Sequence, residues 1–302
     1  MNIGTLILLC ALGALTLWYI ARWYLLERAR VREKGAESSF PGFADAAIGF
    51  VTNFFDTLGI GAFAPTTAIF KLRHQPPDEQ IPGTLNAGHA LAVVTQALIF
   101  ITVVAVDLTT LVGMIAAAVL GAWLGVGVVA RLPRRAIQVG MGVALLVSGL
   151  LFLAKNVGWM PGGSDALGLH GGRLVFGIAV NFMLGALMML GVGLYAPCLI
   201  LVSLLGMNPQ TAFPIMMGAC AFLMPIGGAR FIEVNRYSLR AALGLALGGI
   251  PGVLVAAFIV KSLPVDWLRW LVTFVVLYAA LLMLHSARTR TPADPRVNPS
   301  VG

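Results

Sequence analysis

The chain has 302 residues, 59% of them hydrophobic and only 11% charged, and its mean hydropathy is +0.92. Soluble domains carry about 25% charged residues, so this composition excludes an ordinary soluble protein. The formal net charge of +8 does not indicate nucleic-acid binding, because no basic stretch is interleaved with aromatic residues and Lys and Arg collect in the cytoplasmic loops of membrane proteins. Several uncharged windows could each cross a hydrocarbon core of about 30 Å, which predicts an all-α polytopic membrane protein.

Residues 1–45 are predicted to form an N-terminal anchor helix followed by a basic cytoplasmic segment. The positive charges follow the apolar stretch instead of preceding it: Arg22, Arg28, Arg30, Arg32 and Lys34. A cleaved signal peptide has the opposite order, so we expect a retained transmembrane helix with its N-terminus outside.

Two similar heptapeptides interrupt later apolar stretches: GIGAFAP at 59–65 and GVGLYAP at 191–197. Further matches follow in the same order, IPGTLNAGHA with FPIMMGACAF and LGAWLG with LGGIPG. The chain is therefore predicted to hold two copies of one transport unit, residues 46–155 and residues 173–286. An external linker, residues 156–172, joins them, and a polar, Pro-rich tail, residues 287–302, is expected to be disordered and cytoplasmic.

The orientation of the two copies depends on their broken segments, since each copy has one such segment and three ordinary ones. A re-entrant hairpin gives three crossings and inverted copies, whereas a full span gives four crossings and parallel copies. The hairpin arrangement puts all Lys and Arg residues on the inner side except Lys155, Arg173, Lys261 and Arg269. The full-span arrangement is less one-sided, so the charges favour inverted repeats. A complete span over 173–190 followed by a short broken piece stays open.

The paired breaks are the main indication of a binding site, because interruptions at matching positions in two halves mark the substrate site of many transporters. A half-helix N-terminus offers N–H groups and a positive dipole end to an anion, and glycine lets the backbone approach it closely. Proline suits the first turn of the next half-helix. The predicted substrate-binding residues are Gly59, Gly61, Pro65, Thr66, Thr67, Asn86, His89, Gln96, Gly191, Gly193, Tyr195, Pro197 and Cys198.

Polar side chains make the first copy different from the second. Asn53, Asp56 and Thr57 precede the first break, and Asn86, His89 and Gln96 share one face of the next helix. A carboxylate at membrane depth is by default a functional hypothesis, so Asp56 and His89 are candidates for proton coupling. The structural alternatives are a carboxylate that caps the broken helix and a packed, hydrogen-bonded histidine.

The residues resemble the sulfite exporter TauE/SafE family, also called the TSUP anion permeases. The resemblance rests on the two-copy layout, on the Gly-rich breaks ending in Pro, on FFDTLGIGAFAPTTAIFKL and on ALGLALGGIPGVLVAAFIVKSLP, and covers roughly residues 42–286. Many members carry three glycines in the break, whereas here two other residues follow the second glycine. The resemblance implies a permease of the bacterial inner membrane for small sulfur-containing anions such as sulfite or organosulfonates, and the basic residues of the tail predict a cytoplasmic C-terminus.

Several alternatives remain at this point. The protein could instead transport another small anion or a soft metal ion, or it could be an anion channel. The soft metal ion is considered because of the methionines Met188, Met189, Met216, Met217 and Met224. No Walker motif or acidic partner for Asp56 is apparent, so an enzyme is not expected. No metal site or cofactor is expected either. The predicted partners are a small anion and the lipid bilayer, and a homodimer is compatible with this interpretation.

The cysteines, two GxxxG pairs and Arg230 also permit predictions. Cys10, Cys198 and Cys220 lie in apolar segments without metal-ligand spacing and are expected to be small buried hydrophobic residues. The matching pairs Gly121/Gly125 and Gly248/Gly252 have GxxxG spacing and predict helix-contact faces. Arg230 is expected either to bind the anion or to mark the inner membrane edge.

Overall fold

The computed structural model describes residues 3–34, 41–59, 61–73, 75–77, 80–129, 165–188 and 193–262, with single residues between 139 and 157 and between 270 and 285. The described ranges form nine α-helices and no strand. They are α1 Ile3–Lys34, α2 Phe43–Thr57, α3 Phe63–Arg73, α4 Ile81–Val103, α5 Leu108–Val129, α6 Gly171–Met188, α7 Tyr195–Leu204, α8 Ala212–Glu233 and α9 Leu239–Ser262.

Five segments are long and apolar enough to cross a membrane: Ile3–Arg32, Ile81–Val103, Gly171–Met188, Pro209–Glu233 and Leu239–Ile259. The first three segments are α1, α4 and α6. The fourth is α8 together with the short 3₁₀ turn before it, and the fifth is α9. The prediction of an all-α polytopic membrane protein is confirmed. The predicted linker, tail and C-terminal parts of both repeats lie largely outside the described residues, so the repeat boundaries stay predictions.

Helices α2 and α3 fold back on each other and form hairpin 1, residues 43–73. Asp45 lies in the first turn of α2, and Arg73 is the last residue of α3. The Arg73 guanidinium nevertheless contacts the Asp45 carboxylate at 2.9 Å. Since the two ends farthest from the break touch, α3 returns to the level from which α2 starts.

Helices α6 and α7 form hairpin 2, residues 171–204, in a similar way. Ala166 precedes α6 and Met207 follows α7, yet the two residues pair in an isolated β-bridge. The Asn208 N–H also donates to the Ala166 carbonyl oxygen at 2.9 Å. The short helix α7 therefore leads the chain back to the beginning of α6, which by itself is long enough to span a membrane.

The two hairpins open at opposite ends of α4. At its first turn, the Ser238 N–H donates to Thr84 Oγ1 at 2.9 Å, close to Arg240, which approaches Asp45 at the opening of hairpin 1. Beyond its last turn, the Asp107 N–H donates to the Leu167 carbonyl oxygen at 2.8 Å, beside the opening of hairpin 2. The 23 residues of α4 span about 35 Å between these ends. This arrangement supports the inverted repeats, which stay a prediction.

Three helix pairs account for most of the packing, and in terms of the two predicted copies the α2–α9 pair is equivalent to the α6–α5 pair. Helix α4 packs against α8 at the centre, α2 against α9, and α6 against α5. Glycines permit the close approach, because a Cβ on Gly121, Gly248 or Gly252 would collide with backbone atoms of the facing helix. These three glycines lie at helix contacts, as predicted, and the side-chain position of Gly125 lies outside the described residues.

Helix α1 lies at the edge of the bundle and packs against α8 and α4. Only 11% of its membrane-crossing window is buried, so most of its surface is available to lipid. The prediction that all three cysteines are buried is wrong for Cys10, which is exposed on this helix. Cys198 and Cys220 are buried, because they lie on α7 and α8 inside the bundle.

Candidate functional site

The first break is a glycine turn between α2 and α3. Gly59 and Gly61 have φ angles of +94° and +87°, a region that costs other residues steric strain. Ile60 lies outside the described residues. Pro65 is the third residue of α3, where a missing N–H removes no bond of the helix. The predicted placement of this proline in the first turn is confirmed.

The second break leads into α7, which begins at Tyr195. Gly191 lies outside the described residues, and Pro197 is again the third residue of its helix. A Cβ built on Gly193 would meet no atom within 4 Å, and the same holds for Gly61. Both breaks therefore border open space in the described structure.

Asp56 joins the end of α2 to the beginning of α3. Its side chain is buried, and Oδ1 accepts a hydrogen bond from the Ala62 N–H at 2.5 Å. Gln96 Nε2 donates to the other carboxylate oxygen, Oδ2, at 2.9 Å. Asp56 thus makes the capping contact that was one of its two predicted roles, and α4 supplies a second donor to it.

Gln96 connects the two breaks. Its amide nitrogen also donates to Thr57 Oγ1 at 3.0 Å, and the Tyr195 hydroxyl donates to Gln96 Oε1 at 2.5 Å. Asp56 lies beside the first break and Tyr195 begins the helix after the second, so one side chain of α4 holds both. We call the chain of bonds through Asp56, Gln96 and Tyr195 the Gln96 bridge.

His89 fastens hairpin 1 to α4. The Asn53 carboxamide lies within 2.9–3.1 Å of His89 Nδ1, and Thr66 Oγ1 lies 3.1 Å from His89 Nε2. The ring also packs against Phe63, with 6.0 Å between ring centroids. The imidazole therefore contacts α2 and α3 at once, which agrees with the packed, hydrogen-bonded alternative.

Other predicted site residues lie apart from these bonds. Asn86 donates to the Pro82 carbonyl oxygen at 2.9 Å, and its buried Oδ1 has no partner in the described part of the chain. Cys198 is buried, and Thr67 is half-buried. Within the described ranges, none of these three side chains hydrogen-bonds to the Gln96 bridge.

Two contributors were absent from the predicted list of site residues. Thr57 accepts a bond from Gln96, and Asn53 contacts His89. Both were noted only as polar residues before the break. The spacing of Asn53 could have indicated its role in the site, because Asn53 and Asp56 are three residues apart and so share a helix face.

Arg230 lies away from the breaks. It lines an apolar groove of about 620 Å³ between α5 and α8, together with Trp123 and Ile226. None of the residues of the Gln96 bridge lines this groove. The nearby Glu233 pairs with Arg22 of α1 at 2.9 Å. Direct binding of an anion by Arg230 between the breaks is therefore not supported.

Two interrupted helical segments that are joined deep in a bundle of apolar helices are typical of membrane transporters. The fold and this arrangement define the class as a multi-pass α-helical membrane protein of transporter type. The chain belongs to the sulfite exporter TauE/SafE family, whose family model matches residues 2–152 and 174–302. The predicted family is confirmed. It is a family of transporters, which agrees with the expectation that the chain is not an enzyme.

Comparison with curated proteins and comparison with solved structures gave no significant match.

Proposed function

We propose that this protein carries small sulfur-containing anions, such as sulfite or organosulfonates, across the bacterial inner membrane. The observation that carries the proposal is the Gln96 bridge, which joins the two breaks, and a Cβ built on Gly61 or on Gly193 would meet open space. The sulfite exporter family supports the class of substrate. The anion binds between the beginnings of α3 and α7.

The site suits an oxyanion because it offers hydrogen-bond donors without a fixed positive charge. An anion that leaves water must replace its hydration shell, and the first N–H groups of a helix have no partner within that helix. The beginnings of α3 and α7 supply such groups, and the hydroxyls of Thr66 and Tyr195 lie on the same two helices. Neutral donors bind the anion weakly enough for it to leave on the other side.

Proton coupling is the second part of the proposal. Asp56 is a buried carboxylate beside the break, so its negative charge would repel an incoming anion. A proton on Asp56 removes that repulsion, and proton and anion then move together. His89 holds hairpin 1 in place through Thr66 and Asn53 while this occurs.

Counterflow in proteoliposomes tests the transport activity. Vesicles are loaded with unlabelled sulfite, labelled sulfite is added outside, and organosulfonates serve as competitors. Saturable uptake that is accelerated by the internal sulfite is expected for a carrier. A channel would show no such acceleration. Folded protein that moves none of these anions would contradict the proposal, and vesicles without protein give the background.

A soft metal ion is a second candidate with one observation in its favour. Cys220 Sγ lies 3.4 Å from Met188 Sδ, and both residues are buried close to the second break. Thiol and thioether sulfur atoms suit Cu(I). Thermal stabilisation of the purified protein by Cu(I), but by no sulfur anion, would favour this candidate.

A further inference from the structure

We infer that the transported anion and the Gln96 bridge compete for the hydroxyl hydrogen of Tyr195, so that binding of the anion releases hairpin 2 from α4. The inference rests on the proposed function for the presence of an anion between the breaks. It changes the role of Gln96, which the sequence predicted to bind the substrate. In this arrangement Gln96 is a positioning residue that holds the beginning of α7 against α4.

The hydrogens of Gln96 and Thr57 are all in use. The two N–H bonds of Gln96 serve Asp56 Oδ2 at 2.9 Å and Thr57 Oγ1 at 3.0 Å. The Thr57 hydroxyl hydrogen goes to the Asn53 carbonyl oxygen at 2.7 Å. The other oxygen of Asp56 already accepts the Ala62 N–H. Neither Gln96 nor Thr57 therefore has a hydrogen left for an anion.

Tyr195 is the hydroxyl donor at the second break. Its single hydrogen is directed at Gln96 Oε1, with 2.5 Å between the two oxygens, and the Asp56 carboxyl is a second acceptor beside it. Tyr195 is buried and lies two residues after Gly193, beside the open space. An anion there that takes the hydroxyl hydrogen leaves Gln96 Oε1 without it. A buried acceptor that loses its donor is unfavourable, so the attachment of α7 to α4 is weakened.

The competition acts on hairpin 2 alone. Phe63 stands in GIGAFAP where Tyr195 stands in GVGLYAP, and a phenyl ring has no hydrogen to donate. Hairpin 1 is instead held by Asp56 and by the contacts of His89 with Asn53 and Thr66. Release of the Tyr195 bond therefore loosens one hairpin while the other stays attached to α4.

The sign of an affinity change tests the inference. The dissociation constant of methanesulfonate is measured for the full-length protein in nanodiscs at one pH, for the wild type, Gln96→Met, Tyr195→Phe and the double variant. Competition predicts that Gln96→Met binds about two- to tenfold more tightly, since the Tyr195 hydroxyl has lost Gln96 as an acceptor and only the neighbouring Asp56 carboxyl still competes with the anion. Direct binding by Gln96 predicts weaker binding. The tightening must also vanish in the double variant, because it depends on the hydroxyl.

Controls keep the test decisive. Gln96→Asn retains an amide but is one methylene too short for Tyr195, and it replaces Gln96→Met if that variant does not fold. Thr102→Ala, on an exposed part of α4, should leave the dissociation constant unchanged. Unchanged or weaker binding in folded Gln96 variants overturns this inference alone. A folded wild type that binds neither methanesulfonate nor sulfite overturns the proposed function together with it.

Discussion

At the scale of single residues, the two breaks share a sequence pattern but differ in conformation. Gly61 has a φ angle of +87°, whereas Gly193 has no such positive φ. A valine at Gly61 would therefore strain the backbone as well as fill the open space, and loss of transport in that variant would have two causes. Valine at Gly193 only fills space, so Gly193→Val is the cleaner obstruction of the site.

Asp56→Asn is expected to abolish the effect of a proton gradient on transport. Asparagine keeps an acceptor for the Ala62 N–H but carries no charge that a proton could remove. Uptake of methanesulfonate driven by an inward proton gradient should be lost, while counterflow, which needs no net proton movement, continues. Methanesulfonate is the suitable probe because it does not itself take up protons in this pH range.

The matched control for Asp56 is Asp107→Asn. Asp107 caps the beginning of α5, where its carboxylate accepts the Thr110 N–H at 2.9 Å, away from both breaks. This variant should respond to the proton gradient as the wild type does. An unchanged response in Asp56→Asn would remove Asp56 from the coupling mechanism.

At the scale of elements, one carboxylate ties together three helix ends at the opening of hairpin 1. Asp45 of α2 contacts Arg73 of α3 at 2.9 Å and Arg240 of α9 at 3.6 Å. The carboxylate side chain is only 10% exposed, whereas the Arg73 and Arg240 side chains are 37% and 61% exposed, so the carboxylate is the shielded partner in both contacts. They hold the short helix α3 against α2, although α3 alone has only 11 residues.

Asp45→Asn is expected to lower the free energy of unfolding by about 1–2 kcal/mol, because it removes two charge-assisted contacts from a shielded position. Thermal unfolding in low salt measures the effect. Glu233→Gln is the matched control, since its pair with Arg22 has side chains that are 45% and 40% exposed and should contribute less. Equal losses in the two variants would show that Asp45 does not fasten the hairpin.

At the scale of the whole molecule, α1 is held to the α8–α9 turn by polar contacts. Trp23 Nε1 donates to the Tyr237 hydroxyl at 2.9 Å, and that hydroxyl donates to Glu27 Oε1 at 2.6 Å. Burial, and then the bond to Glu27, raises the pKa of Tyr237 well above its usual range, so the hydroxyl keeps its hydrogen at physiological pH. Tyr19, one turn before Trp23 on α1, donates to the Ala87 carbonyl oxygen of α4 at 3.0 Å.

The opposed openings of the two hairpins predict opposite accessibility. Cysteines placed at Leu72, beside the opening of hairpin 1, and at Leu167, beside that of hairpin 2, should react with a membrane-impermeant thiol reagent from opposite sides. Both leucines are exposed, and Cys10→Ser removes the exposed native thiol. Leu72 should label from the cytoplasm, as basic residues favour that side. Labelling of both from one side would contradict the inverted repeats.

Part of the candidate site was predictable because it depends on local sequence. The glycines and prolines mark the breaks whatever surrounds them, and the three-residue spacing of Asn86 and His89 places them on one face of α4. Yet among the described residues only His89 of these two hydrogen-bonds to hairpin 1, since contact depends on which helix lies opposite. The three partners of Gln96 lie 39, 40 and 99 residues away in the chain, so no local spacing could identify them.

The sequence by itself determined the class of protein, the positions of the helices and the two breaks. These follow from hydrophobic length, glycine and proline, which act within a few residues. Only the tertiary structure decided that both broken segments fold back, that Arg230 lies apart from the Gln96 bridge and that Tyr195 reaches Gln96. Such features depend on how distant helices pack, and packing is set by the combined shape of all of them.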